Sequence, residues 1–141
     1  MMKMDDDIIL RTIIKVIVPF MFMFGLYVQF HGEQSPGGGF QAGVICAAAL
    51  ITYGLVHGLG DLTKIVSVNL VKFLSSVGVL IYGGTGVVTM LHGDKFLAYS
   101  SLSQDSLLGQ QVGMMAVEIG VGVTVFSVVM LIFYMFAERS K

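Results

Sequence analysis

Charge is what this sequence has least of. Only 12% of its 141 residues are Asp, Glu, Lys or Arg, about half the ~25% of a soluble globular domain. So few charges cannot cover the surface of a water-soluble protein of this size, and 55% of the residues are hydrophobic, with a mean hydropathy of +0.86. Cysteine is nearly absent. Cys46 stands alone inside an apolar stretch, which excludes a disulfide framework and makes a structural zinc site untenable. The three histidines, His31, His57 and His92, fall at the ends of three different apolar stretches, without ligand spacing, so neither a metal nor a cofactor is expected. A soluble domain is missing too. The longest polar segment, HGDKFLAYSSLSQDSLLGQQ, is half apolar and is expected on the outer membrane surface or against a neighbouring subunit, with Phe96, Leu97 and Tyr99 as interfacial contacts. YGGTG at 82–86 lacks the lysine and preceding strand of a phosphate-binding loop. Nothing points to nucleic acid as a partner.

What is present is four long apolar blocks. A membrane-crossing helix needs ~20 mostly apolar residues, and the blocks at 8–30, 40–59, 73–91 and 111–136 meet that need. The fold expected is an all-α integral membrane protein, one membrane domain of four transmembrane helices. Arg11 and Lys15 open the first block, which is then uncharged from Val16 to Gly32; Lys72 borders the third. Such long side chains reach the interface from a span end. Pro19 is expected to kink or loosen the first helix. Seven of the eight basic residues (Lys3, Arg11, Lys15, Lys64, Lys72, Arg139 and Lys141) fall on the side shared by the two termini and the 60–72 segment; Lys95 alone lies opposite. The positive-inside rule then places both termini in the cytoplasm. Asp5-Asp6-Asp7 carries little weight in that rule and is expected to be a solvated end. The first block is too long for a signal-peptide core and VQFHGEQS offers no small-x-small cleavage site, so it is expected to be a retained anchor.

Two features stand out against this apolar background. The first is the corner GEQSPGGGFQAGV between the first two blocks. Each glycine costs a helix about 1 kcal/mol relative to alanine, so Gly37, Gly38 and Gly39 after Pro36 serve backbone freedom or close approach. Bare backbone at membrane depth is tolerated only inside protein or against water. The corner therefore either packs on a partner or turns carbonyls toward a cation, with Phe40 anchoring the span. The second is Glu118, the single charge of the fourth block. Gly113, Ala116, Gly120, Thr124 and Ser127 recur at offsets of three and four, a small-residue stripe for helix packing; Ala42, Gly43, Cys46, Ala47 and Ala49 form a similar patch in the second block. At ~100° per residue Glu118 lies about 160° from the stripe, with Gly122 clearing space one turn on. If the stripe packs within the chain, Glu118 points out of the bundle and needs a partner subunit or a hydrated cavity. There it either carries a proton or contacts a cation such as Na⁺, or is a structurally fixed carboxylate. His31 and Glu33 share its side of the membrane.

Read together, SPGGGFQAGVICAAAL after a first span and GMMAVEIGVGVTV in the fourth resemble the MnhB-like subunits of the multisubunit Mrp-type Na⁺/H⁺ antiporters. The matching positions are His31, Pro36, Gly37, Gly38, Gly39 and Phe40 in one motif, and Gly113, Glu118, Gly120, Gly122 and Thr124 in the other. The resemblance covers essentially the whole chain. It implies a small accessory subunit of a seven-subunit assembly in the bacterial cell membrane that exchanges cytoplasmic Na⁺ for external protons. The implied partners are other membrane subunits, including large antiporter-like ones, with monovalent cations and protons as cargo. Its residues would serve the ion route or assembly rather than catalysis. A stand-alone homo-oligomeric transporter or channel, and a structural scaffold (of a related membrane-bound hydrogenase, for instance), are the other readings the sequence leaves open.

Overall fold

The structure, a computed structural model, describes residues 4–32 and 37–139. Glu33 and Pro36 of the corner, and Lys3 and Lys141 at the ends, lie outside the described residues. The described chain is helical, with no strand among the described residues: α1 Met4–Phe30, α2 Gly39–His57, α3 Leu59–Ile65, α4 Val68–Leu91 and α5 Ser106–Arg139, plus a 3₁₀ turn at Tyr99–Leu102. Four helices are long and apolar enough to cross a membrane: α1 from Asp7, α2, α4 and α5.

Local chemistry sets the boundaries. α1 runs through Pro19 without interruption. α2 stops at His57 because Gly58 takes a left-handed φ of +97°, a conformation glycine adopts without a Cβ penalty. The seven-residue α3 follows at once, where only loop was expected. Val66 and Ser67 then turn the chain, and the Ser67 hydroxyl accepts the Leu70 N–H at 3.2 Å as an N-cap. α4 therefore begins at Val68, five residues before the expected 73, and carries exposed Lys72 within its first turns. α5 has 34 residues, about 51 Å at 1.5 Å per residue, more than the ~30 Å hydrocarbon core demands.

The helices stand in the spatial order α1, α2, α5, α4, with α5 between α2 and α4 and only lightly touched by α1. The tightest core lies where α3, the start of α4 and the end of α5 converge. There Leu62, Val71, Met130 and Tyr134 are almost fully buried together with Ala47. Tyr134 donates its hydroxyl to the Val66 carbonyl at 2.6 Å, tying the α3–α4 turn to α5. On the exposed face of α3 the hydrogen bond and charge of Lys64 hold Asp61 below the usual carboxylate range, at 2.8 Å. What Asp61 contributes is present above its ordinary pKa and fades as pH falls through the lowered one.

At the opposite end most of the 92–105 loop is exposed, while two of its rings pack on the helices. The Phe96 ring fills the space over Gly86, and Tyr99 covers Gly113, where a Cβ would come within 2.5 Å of its ring. Thr89 joins the two layers: it donates to the Gly86 carbonyl at 2.7 Å and accepts the Leu97 N–H at 2.9 Å. Phe96 and Tyr99 thus face α4 and α5, because glycines at 86 and 113 leave room for their rings.

Tyr134→Phe keeps the buried ring and removes only the donor to Val66. The expected cost is about 1 kcal/mol, seen as a lower thermal unfolding midpoint in detergent. An unchanged midpoint would show that the α3–α4 turn does not depend on this bond.

Candidate functional site

The residues singled out by sequence fall on two faces of α5. Gly120 lies against the Gly78 carbonyl and the Tyr82 N–H, 3.0 Å from each for a Cβ placed there, and Gly78 faces the Thr124 backbone. This side of α5 packs on α4. Gly113 lies under Tyr99, and Ala116 is half-buried on the same helix. Thr124 donates its hydroxyl back to the Gly120 carbonyl at 2.8 Å. The other side of α5 packs on α2. A Cβ at Gly43 would come within 2.6 Å of the Gly122 carbonyl, and one at Gly39 would collide with the Glu118 carbonyl.

Glu118 therefore does not leave the bundle, as its angle to the stripe suggested. α5 is covered on two sides rather than one, and the side opposite the stripe belongs to the α1–α2 corner. The carboxylate is half-buried and rests on glycine backbone. A Cβ at Gly32 would sit 3.0 and 3.1 Å from its two oxygens, and one at Gly38 3.5 Å from Oε1. Gly38 is the N-cap of α2, and its N–H donates to Gln41 Oε1 at 3.0 Å. The carboxylate thus stands beside the positive end of the α2 dipole, a setting that attracts negative charge. No hydrogen bond or ion pair to Glu118 is made among the described residues.

Depth follows from the α4 contacts. Gly120 packs between Gly78 and Tyr82, so Glu118, half a turn farther out, is level with Tyr82. Tyr82 is ten residues from Lys72 and nine from Leu91, about 15 Å from either end of the charge-free run of α4. Gly38 and Gly39, at the start of α2, therefore lie opposite the middle of α4. That places irregular backbone, Gly37 and Gly38, beside Glu118 at this depth.

The other candidates divide. His31 ends α1 beside the corner, but its ring stacks on Tyr27 at 4.2 Å and its Nδ1 lies 3.0 Å from the Tyr27 carbonyl, turned back along α1. Phe40 is exposed on the first turn of α2. Gly37 faces Val28, 2.8 Å from a Cβ placed on it. No group of three or more His, Cys, Asp or Glu side chains that could hold a metal occurs among the described residues. Sequence reasoning missed two residues here. Gln41 caps the corner, and Gln29 buries its amide with the carbonyl oxygen against Gly122. Their one signal was polarity inside an apolar run.

With that geometry in place, comparison with known proteins is informative. Residues 9–131 match the family described as a domain related to the MnhB subunit of Na⁺/H⁺ antiporters. The chain belongs to the MnhB family. Among relatives of this MnhB-family chain are the putative antiporter subunits mnhB2 of Staphylococcus aureus strains Newman and NCTC 8325 / PS 47, each 32% identical over 107 residues, 75% of either chain. The span matched by the family takes in both the glycine corner and Glu118.

The three glycines of the MnhB-family corner are not equivalent. Gly38 has an extended φ of −162° and ordinary clearance, so Gly38→Ala should leave the yield of folded protein within about twofold, since surface changes of this kind stay within about ±0.5 kcal/mol. Gly39→Ala forces α2 away from the α5 backbone and should cost several kcal/mol, as overpacking does. Detergent-extracted yield and thermal stability of the two variants check the contrast; equal behaviour would contradict the close approach.

Proposed function

We propose that this chain is an accessory subunit of a multisubunit Na⁺/H⁺ antiporter in the bacterial cell membrane, needed for assembly and lining part of the ion route at Glu118. Family membership supports the first part. The observation that carries the second is the placement of the Glu118 carboxylate against the bare backbone of Gly32 and Gly38, level with the middle of the charge-free run of α4. Both termini face the cytoplasm in this reading, because Arg11, Lys15, Lys64, Lys72 and Arg139 all gather at one end of the helices. The glycine corner then faces outward, the side from which protons enter and to which Na⁺ leaves.

The chemistry suits a waypoint rather than a pump. A carboxylate in a partly apolar setting can bind and release a proton or offer an oxygen to a passing monovalent cation. The Gly37 carbonyl lies close by, beside Gly32, while that of Gly38 accepts the Ala42 N–H at 3.0 Å. Pro36 belongs to the glycine motif, and His31 and Glu33 remain ion-route candidates for the same polar region. The partners are the other membrane subunits, large antiporter-like ones among them.

Glu118→Gln keeps the size and removes the charge. Exchange of Na⁺ for H⁺ by vesicles holding the assembled complex should fall roughly tenfold or more, as expected for an intramembrane acid that handles ions, while co-purification of the other subunits is unchanged. Full exchange at normal yield would make the chain a scaffold. A tagged wild-type chain that emerges alone or as a homo-oligomer would remove the subunit reading itself.

A further inference from the structure

Gly32 has surroundings unlike those of the other glycines. It follows the last turn of α1, and its φ lies outside the left-handed region, which only Gly58 and Gly93 occupy among the described glycines. Backbone conformation therefore does not call for glycine at this position. Space does. A Cβ on Gly32 would sit 2.9 Å from the Gly37 carbonyl oxygen, 3.0 Å from Glu118 Oε2 and 3.1 Å from Glu118 Oε1. These are the three atoms nearest that point, and at no other described glycine are all three oxygens. The missing side chain thus leaves a gap walled by a carboxylate and a carbonyl. Gly32, Gly37 and Glu118 each keep part of their surface exposed, so the gap is not sealed inside the chain.

Three acceptors around one gap need something positive between them. The neighbouring donors of this chain are committed elsewhere or shut away. The Gly38 N–H goes to Gln41 Oε1, and the His31 ring is turned back on Tyr27. Gln29, beside Gly122, keeps its Nε2 buried and without a partner among the described residues. Water can donate to two of the oxygens, but it leaves the charge of Glu118 uncompensated at mid-membrane depth, which is costly. A proton on the carboxyl removes the charge and leaves the gap empty. A small cation answers both needs, since carboxylate and carbonyl oxygens are the ligands that hard cations take. A divalent ion would leave net positive charge beside the positive end of α2. A monovalent ion leaves the site neutral.

We propose that the gap at Gly32 is a subsite for a monovalent cation, held by the Glu118 carboxylate and the Gly37 carbonyl oxygen, and that the lack of a Cβ at Gly32 keeps it open. This rests on the reading of Glu118 as part of the ion route and deepens it, by naming the ligands and the residue that decides whether an ion fits. The space of one methyl group admits an ion stripped of water on the side facing Gly32, while water completes its coordination from the open side.

The test uses dicyclohexylcarbodiimide, which modifies carboxyl groups in apolar surroundings. Membranes holding the assembled complex are treated in NaCl or in choline chloride at equal ionic strength, and the peptide carrying Glu118 is followed by mass spectrometry. Na⁺ should slow the modification of Glu118 in the wild-type chain, and choline should not. Gly32→Ala fills the gap. The Na⁺ concentration for half-protection, and that for half-maximal exchange in vesicles, should both rise roughly tenfold or more, as when groups that support a metal ligand are disturbed. The other subunits should co-purify as before. Equal modification in the two salts, none in either included, would overturn the subsite. Protection that Gly32→Ala leaves unaltered would overturn the role of Gly32. Where Gly32→Ala does not assemble, protection of the wild-type chain by Na⁺ over choline decides alone. Loss of exchange in Glu118→Gln alongside either failure would keep Glu118 on the ion route; full exchange in Glu118→Gln would overturn that reading, and this inference with it.

Discussion

The structure depends on how closely α5 can be approached. Lipid tails are as apolar as leucine, so membrane helices gain little by burying apolar surface against one another; contact distance and polar pairing decide their association. α5 meets this demand at two faces with backbone rather than side chains. On one, Gly78 lies against Gly120 and Thr124; on the other, Gly39 and Gly43 lie against the carbonyls of Glu118 and Gly122. Dispersion falls off steeply with separation, so glycines that bring whole backbones together contribute more here than larger apolar residues would. The order of the helices follows, because α5 has small residues on two sides.

Those contacts also fix the stagger between the two hairpins. Once Gly39 is set on Glu118 and Gly120 between Gly78 and Tyr82, α2 has to begin opposite the middle of α4. The depth of Gly38 and Gly39 is thus a consequence of register. It leaves the two flanks of α5 unlike. Toward α4 the polar groups are satisfied within the chain: Thr124 donates to Gly120, and Thr89 bridges Gly86 and Leu97. Toward α1 and α2 lie the Glu118 carboxylate, the Gln29 amide and the glycine backbone. The two flanks thus differ in how far their polar groups are paired within the chain.

Much of this could be read from the sequence, and the misses have physical causes. Four long apolar runs are a strong signal because nothing but a membrane tolerates them, and the glycine and glutamate motifs stood out against a background nearly free of charge. The direction of Glu118 was misjudged because a helical angle tells which residues share a face, not how many faces are occupied. α3 was hidden because seven residues between two spans give no periodicity to detect. Lys72 drew the start of α4 too late, since a lysine inside the first turns of a span can still reach the interface. Gln29 was passed over for the opposite reason: its importance lies in the partner it lacks, and that shows only once the helices are packed.

The inner half of α5 bears on whether the chain could move ions unaided. Between Glu118 and the inner end, its polar side chains are Thr124, Ser127 and Tyr134. Ser127 and Tyr134 are buried, and each of the three donates its hydroxyl to a backbone carbonyl: Gly120, Val123 and Val66 in turn. Around them Met130, Leu62 and Val71 close the inner end. A proton or cation at Glu118 would find no succession of free polar groups along α5 to carry it inward. Moving it across apolar packing would meet the cost of an unpaired charge in hydrocarbon. Among the described residues, α5 by itself supplies no inward path from Glu118.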